Sequence, residues 1–164
     1  MDISKIEAGD ISKLNVFIES MKGSKNYYRY DDVTGTFILQ KVLKQEFPGC
    51  YGFIPRTHHV DAKPLDVLIL TTEPLELGVV IKVRPIGVIR FKSEIPDDVL
   101  IAVPLNEKKY NDIKDVTKLS KDILKKLKIF LEDFKGLIIE RVFDAQRAKN
   151  AVRRAIELHK EEFG

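Results

Sequence analysis

Residues 60–67, Val60-Asp61-Ala62-Lys63-Pro64-Leu65-Asp66-Val67, form an acidic segment around a proline. Two carboxylates lie five residues apart around a proline, and the segment leads directly into an apolar run that ends at Leu70. Aspartate beside proline is a frequent turn former, so the segment taken alone predicts a turn followed by a buried strand. Its acids become candidates for chemistry only if other segments bring polar groups to the same place.

Short segments rich in β-branched and aromatic residues lie on both sides of this turn and predict strands. No helical pattern separates them, which favours an antiparallel sheet that is closed or highly curved, as in a small barrel. The predicted strands are Leu14–Glu19, Tyr27–Tyr30, Thr36–Gln40, Val67–Leu70, Val79–Val88 and Val99–Val103.

The last third of the chain has the periodicity of helices. Apolar residues recur at three- and four-residue steps from Ser120 to Gly136, which predicts an amphipathic helix. After one more predicted strand, Leu137–Phe143, Asp144 can cap a second helix. The expected fold class is therefore α+β, mainly β: a small closed or highly curved antiparallel β-barrel with two C-terminal packing helices.

Composition limits the remaining possibilities. The chain has 164 residues, of which 44% are hydrophobic and 32% charged, and no repeat or flexible linker divides it, so we expect a single domain over residues 1–164. The net charge of +3 is small beside its 28 basic and 25 acidic residues and does not indicate a nucleic-acid partner. A lone Cys50, no signal-peptide pattern and no long apolar run predict a cytoplasmic protein without membrane spans.

Several other stretches keep a fixed order around the proline turn, and together they resemble the family I soluble inorganic pyrophosphatases. In that family the turn reads Asp-x-Asp-Pro-apolar-Asp and faces a cluster of divalent metals in the mouth of the barrel. The resemblance runs from about Leu14 to the C-terminus and implies magnesium-dependent hydrolysis of pyrophosphate to two phosphates. The stretches that carry it, besides 60–67, are Phe47–Thr57, Arg84–Val88, Leu100–Pro104 and Asp112–Val116.

Position by position, the resemblance implies site residues in this chain. Hydrolysis of pyrophosphate needs Mg²⁺, which binds hard oxygen ligands. The implied metal ligands are Glu19, Asp61, Asp66 and Asp97. Asp66 and Tyr51 match retained catalytic positions, and the implied phosphate-contacting side chains are Lys41, Tyr51 and Lys135.

The chain also departs from the family pattern. Arg29 stands where the family has a glutamate, Lys63 where it has the aspartate linked to the nucleophilic water, and Ser93 where it has another metal-binding aspartate. Cations beside a magnesium site oppose metal binding by several kcal/mol at short range. On the substrate side, Lys41 replaces an arginine and lacks its planar fork. Family lysines and tyrosines are replaced at Tyr27, Phe47, Val99 and Phe134.

These departures predict a divergent paralogue with weak or no hydrolysis that is retained as a binding or regulatory protein. One alternative is a working Mg²⁺-dependent pyrophosphatase or phosphohydrolase that uses fewer metals. Another is binding of single-stranded nucleic acid by the aromatic and basic stretch Tyr27–Tyr30, although strand tyrosines more often pack in a core. By resemblance we also expect pyrophosphate or another phosphate anion as ligand and a homo-oligomer, commonly a hexamer.

Overall fold

The computed structural model describes residues 2–60 and 63–163. Short 3₁₀ helices cover Ile3–Lys5, Lys108–Tyr110 and Val116–Lys118. The α-helices are α1 (Lys121–Lys135) and α2 (Ala145–Phe163). The strands are β1 (Gly9–Asp10), β2 (Lys13–Ser20), β3 (Asn26–Asp31), β4 (Thr36–Val42), β5 (Cys50–Ile54), β6 (Leu65–Ile69), β7 (Val80–Phe91), β8 (Asp97–Pro104) and β9 (Ile139–Phe143).

Five of these strands close into a barrel. β2 pairs with β5, β5 with β6, β6 with β8, β8 with β7, and β7 pairs again with β2. The pairing of β6 with β8 is parallel and sets Asp66 opposite Val99, whereas the other four pairings in the ring are antiparallel. The predicted mainly β fold, with a closed barrel and two C-terminal helices, is confirmed, and this parallel pair is its one exception to antiparallel pairing.

Strands β3 and β4 form a separate two-stranded sheet. Side chains of β2 rather than its backbone hold this hairpin to the barrel. The backbone N–H of Tyr30 donates to a Glu19 carboxylate oxygen at 2.8 Å, and that of Tyr28 donates to the Ser20 hydroxyl at 3.4 Å. The ring of Tyr30 also packs edge-on against Phe17, with 5.1 Å between centroids.

The two C-terminal helices lie where the sequence predicts them. The Ser120 hydroxyl accepts a hydrogen bond from Ile123 N at 3.2 Å and begins α1, while Gly136, at φ 65°, ends it in a left-handed conformation. The α1 face that packs on the barrel carries Leu127, Phe130 and Leu131, and the buried face of α2 carries Ala145, Ala148, Val152 and Ala155. Within residues 2–60 and 63–163, neither helix is long and apolar enough to cross a membrane.

Strand β5 was not among the strands predicted from sequence. All five of its residues are buried, so it lacks the alternation of polar and apolar side chains that marks a half-exposed strand. Gly52 lies directly against the backbone of Phe17 on β2, where a larger side chain would collide. The glycine that weakens the sequence signal therefore allows the close strand contact.

Candidate functional site

A cavity of about 610 Å³ opens at one end of the barrel, and we call it the central cavity. Glu19 lies near the end of β2, while Asp66 and Asp97 lie at the starts of β6 and β8. Because β6 and β8 run parallel, their first residues meet at the same edge of the sheet. Lys135, the last residue of α1, completes this group from the helix side.

The central cavity contains charges of both signs. Carboxylates and cations lie in the same wall, so the cations offset much of the negative charge that a metal site would use. The acidic side chains are Glu19, Asp32, Asp66, Asp97 and Asp98, and the cationic ones are Arg29, Lys63 and Lys135. The structure thus places in the cavity Lys63 and Arg29, for which the sequence analysis predicts replacement of family acids.

Lys135 joins the two carboxylates that begin the parallel strands. Its ammonium nitrogen lies 3.1 Å from Asp97 Oδ1 and 3.8 Å from Asp66 Oδ2. Only 18% of the Lys135 side chain is exposed, so solvent screens these contacts less than it would on an open surface. The Tyr51 hydroxyl also donates a hydrogen bond of 2.9 Å to Asp66 Oδ2.

Glu19 is the most strongly perturbed acid in the cavity. Burial is the main cause that raises its pKa to about 7, and the nearby charge of Asp66 adds to the effect. The hydrogen bond from Tyr30 N and the charge of Arg29 act in the opposite direction. Glu19 therefore holds a proton to higher pH than an ordinary glutamate does.

Tyr30 and Tyr51 are buried, and Tyr27 is half-buried among other aromatic rings. Tyr27 packs edge-on against Phe134 at 4.9 Å and against Tyr51 at 6.2 Å, between ring centroids. Burial, followed by the charge of Asp66, raises the pKa of both Tyr27 and Tyr51 above the ordinary value. Tyr30 is 9% exposed. The exposed aromatic platform required for nucleic-acid stacking at Tyr27–Tyr30 is therefore not formed by Tyr27 or Tyr30.

A second cavity of about 330 Å³ lies beside the first and shares Tyr27, Asp66 and Lys135 with it, and we call it the side cavity. Lys41, Tyr51 and Lys135 all line the side cavity. The structure thus brings together the three side chains for which the sequence predicts phosphate contact. Their role in binding stays a prediction.

The residues described here do not form the metal cluster that the resemblance implies. Glu19, Asp66 and Asp97 line one cavity, but no three His, Cys, Asp or Glu side chains among residues 2–60 and 63–163 are grouped closely enough to hold a metal ion. Asp61 lies outside the described residues. Ser93 is exposed in the turn between β7 and β8 and is not part of the cavity wall.

The wall of the central cavity also contains an ion network, centred on the buried Asp98, that was not predicted from the sequence. Asp98 is 4% exposed and receives two hydrogen bonds from Arg90, at 2.9 and 3.1 Å, while His59 Nε2 lies 3.1 Å from Asp98 Oδ2. Burial alone would raise the pKa of Asp98, but the contacts from His59 and Arg90 outweigh it and lower the pKa. Arg90 faces Asp98 directly across β7 and β8, so a correct strand register would have revealed the pair.

The chain is similar in sequence and in structure to known proteins. Residues 16–160 match the sequence profile of the family described as inorganic pyrophosphatase. The chain is 37% identical over 155 residues to an inorganic pyrophosphatase of Sulfolobus acidocaldarius, covering 88% of this chain and 90% of that protein. With one of Haloferax volcanii it shares 33% over 156 residues, 89% and 88% of the two chains. The crystal structure of inorganic pyrophosphatase from Thermus thermophilus superimposes with a TM-score of 0.89 at 32% identity, covering 98% of this chain and 99% of that one.

Proposed function

Because this chain belongs to the inorganic pyrophosphatase family, we propose that it is a divergent member with weak or no hydrolysis of pyrophosphate, which acts by binding a phosphate anion. One observation carries the proposal: Arg29 and Lys63, two cations that the sequence analysis places where the family has acids, line the same cavity as the carboxylates. The basic side chains take the electrostatic role that metal ions would have in a hydrolytic site.

Charge supports this proposal. At positions 29, 63 and 93 the family pattern carries three acids, whereas this chain carries two cations and a serine. Arg29 acts on Glu19, because its charge lowers the pKa of that acid. A divalent ion that entered the cavity would be repelled by Arg29, Lys63 and Lys135 or would have to displace them. Either event would make binding of the ion less favourable by several kcal/mol.

The side cavity supports the choice of a phosphate anion as ligand. Lys41 and Lys135 provide two cations, while the Tyr51 hydroxyl donates to the carboxylate of Asp66, which also lines this cavity. Lysine offers a point charge and no bidentate fork, so we expect the anion to be attracted but held in several orientations. Binding without a fixed orientation favours a ligand-binding role over catalysis.

The test is phosphate release from pyrophosphate across a Mg²⁺ titration. We expect no Mg²⁺-dependent release by the wild type and measurable release by the R29E/K63D/S93D variant, which restores the family acids. Calorimetric titration of pyrophosphate in a chelator should still show binding by the wild type. A control variant, K82D/R153E, makes the same two charge reversals outside both cavities and should remain inactive.

Robust wild-type turnover that requires Mg²⁺ would contradict the proposal. It would support the second candidate, a pyrophosphatase that uses fewer metals, which the hydrogen bond between Tyr51 and Asp66 favours because two family positions are kept in contact. In that case D66N should abolish turnover. Absence of both turnover and binding would overturn the ligand assignment while leaving the family unchanged.

We also propose a homo-oligomer, a hexamer by family resemblance, located in the cytoplasm. Large apolar side chains are exposed on α1 and just after it, as expected for a surface that contacts other subunits: Ile123 at 39%, Ile129 at 49% and Ile138 at 69%. Light scattering after size exclusion tests the assembly. A monomer at micromolar concentration would contradict it.

A further inference from the structure

Three guanidinium groups surround the ring of Phe143, which is not among the residues that line the central cavity. Their carbons lie 4.6 Å (Arg147), 5.2 Å (Arg90) and 5.5 Å (Arg141) from the ring centroid. Each contact is individually favourable, because a cation is attracted to the face of an aromatic ring. Three like charges around one ring also repel one another.

The three charges are not compensated equally. Arg90 is neutralised by its two hydrogen bonds to Asp98. Arg141 faces Arg90 directly across β7 and β9, a like-charge pair that is unfavourable unless another negative group is present. Among residues 2–60 and 63–163, neither Arg141 nor Arg147 forms an ion pair with a carboxylate.

A cavity of about 520 Å³ adjoins this cluster, within the size range of small-molecule sites. Arg141, Arg147 and the hydroxyl-bearing Thr117 form its polar wall, and Val116 and Leu124 are apolar. One carboxylate, that of Asp144, also lines it, but its Oδ1 accepts a hydrogen bond from Arg147 N at the start of α2. The two guanidinium groups therefore leave the cavity with a net positive charge.

We propose that Arg141, Arg147 and Phe143 form a second anion site, which binds a phosphate-bearing group. A guanidinium matches the spacing of two phosphate oxygens, and packing on the ring restricts each arginine before the ligand arrives. The ring face is covered by cations and is not open to a nucleobase, so recognition is of the phosphoryl group. This site does not depend on the central or the side cavity.

The experiment is an NMR titration of the ¹⁵N-labelled wild-type chain with pyrophosphate in a chelator, following the arginine Nε and the backbone amides of residues 141–148. Saturable shifts are expected there. In R141Q/R147Q they should be lost or require roughly tenfold more ligand, because two charge-assisted contacts are removed. The control K149Q/R153Q removes two charges from α2, the helix that carries Arg147, outside the cavity and should retain the shifts.

A parallel titration with ADP distinguishes the source of the phosphate. If pyrophosphate binds as tightly as ADP or more tightly, the ligand is an inorganic anion. If ADP binds clearly more tightly than pyrophosphate, the ligand is a nucleotide. Both results support the second anion site. The R141K/R147K variant keeps the charge and loses the fork, so it should bind with intermediate affinity, and its thermal unfolding checks that the fold is intact.

Two results would overturn the proposal. One is the absence of saturable shifts at 141–148 up to about 10 mM ligand, where even a millimolar Kd would be detected. The other is equal weakening in R141Q/R147Q and K149Q/R153Q, since that would show general attraction to a basic helix rather than a site.

Discussion

Lys135 at the end of α1 and Asp97 at the start of β8 form an ion pair, with 3.1 Å between Nζ and Oδ1, that joins the helix layer to the mouth of the barrel. The side chains are only 18% and 28% exposed. The pair therefore lies in a setting where charge contacts are stronger than on an open surface, and where loss of one partner leaves a poorly solvated charge.

We expect this pair to contribute to stability. A double-mutant cycle of Lys135→Met and Asp97→Asn, measured by urea unfolding, should give a coupling energy of about 1.5 kcal/mol. The exposed pair of Arg154 and Glu157, at 3.6 Å with both side chains more than 60% exposed, should give below about 0.5 kcal/mol in the same cycle. Equal coupling in both cycles would show that burial does not strengthen the Lys135 contact.

Glu19 should make stability fall as the pH rises. Its pKa is raised from 4.5 to about 7 in the folded protein, so between those values the folded state binds a proton that the unfolded state has released. Glu19→Gln removes this cost of ionisation and keeps an acceptor for Tyr30 N. The variant should gain up to about 3 kcal/mol relative to wild type at pH 8 and little at pH 5.

Urea unfolding of wild type and E19Q at several pH values measures that difference. Glu7→Gln on the exposed surface is the control and should show no trend between pH 5 and pH 8. If the difference in free energy of unfolding between E19Q and wild type were the same at pH 5 and pH 8, Glu19 would already be ionised in the folded protein at pH 5. That result would be expected for a metal ligand rather than for a buried acid.

Asp98→Asn should be strongly destabilising, by about 3 kcal/mol, because it leaves Arg90 and His59 without their buried counterion. The folded-state pKa of Asp98 is lowered, so the contribution of the acid is fully present above 3.8 and is lost as the pH falls through the folded value. The gap between D98N and wild type in free energy of unfolding should therefore narrow in strong acid. Arg90→Lys, which retains the charge, should cost less at neutral pH.

Gly87→Ala tests the packing of the barrel against the C-terminal segment. A Cβ at this position would lie 2.7 Å from Val116 Cβ and 2.9 Å from the carbonyl oxygen of Phe143, both too close for a normal contact. We expect a loss of about 2 kcal/mol in free energy of unfolding. Gly136→Ala, where the added Cβ has open space but φ is 65°, should cost about 1 kcal/mol, and a smaller loss at Gly87 than at Gly136 would contradict the contact argument.

Local patterns in the sequence were enough to predict the helices. The boundaries of α1 follow from Ser120 and Gly136, because capping and termination depend on residues that are neighbours in the chain. Strand pairing depends on residues far apart in sequence, so the parallel alignment of β6 with β8 could not be read from either segment. The same is true of β5, whose burial on both faces removes any alternation.

The candidate site could be predicted only in part, because some of its contacts also join residues that are far apart in sequence. Comparing motifs identified Lys41, Tyr51 and Lys135, and the structure places all three around one cavity. Motifs could not show that Lys135 contacts Asp97, or that Asp98 is paired with Arg90 across two strands. These contacts are set by register and by the position of a helix end, which are properties of the assembled fold.

The β3–β4 hairpin, joined to the barrel by side chains instead of a backbone ladder, has a consequence for how this protein evolved. Arg29 lies on that hairpin, Lys63 in a loop and Ser93 in an exposed turn, so the three positions at which the sequence analysis predicts replaced acids all lie outside the closed ring of five strands. Mutations there can accumulate without breaking barrel hydrogen bonds, so selection on folding does little to remove them. The loss of hydrolysis proposed above therefore requires no change in the architecture of the barrel.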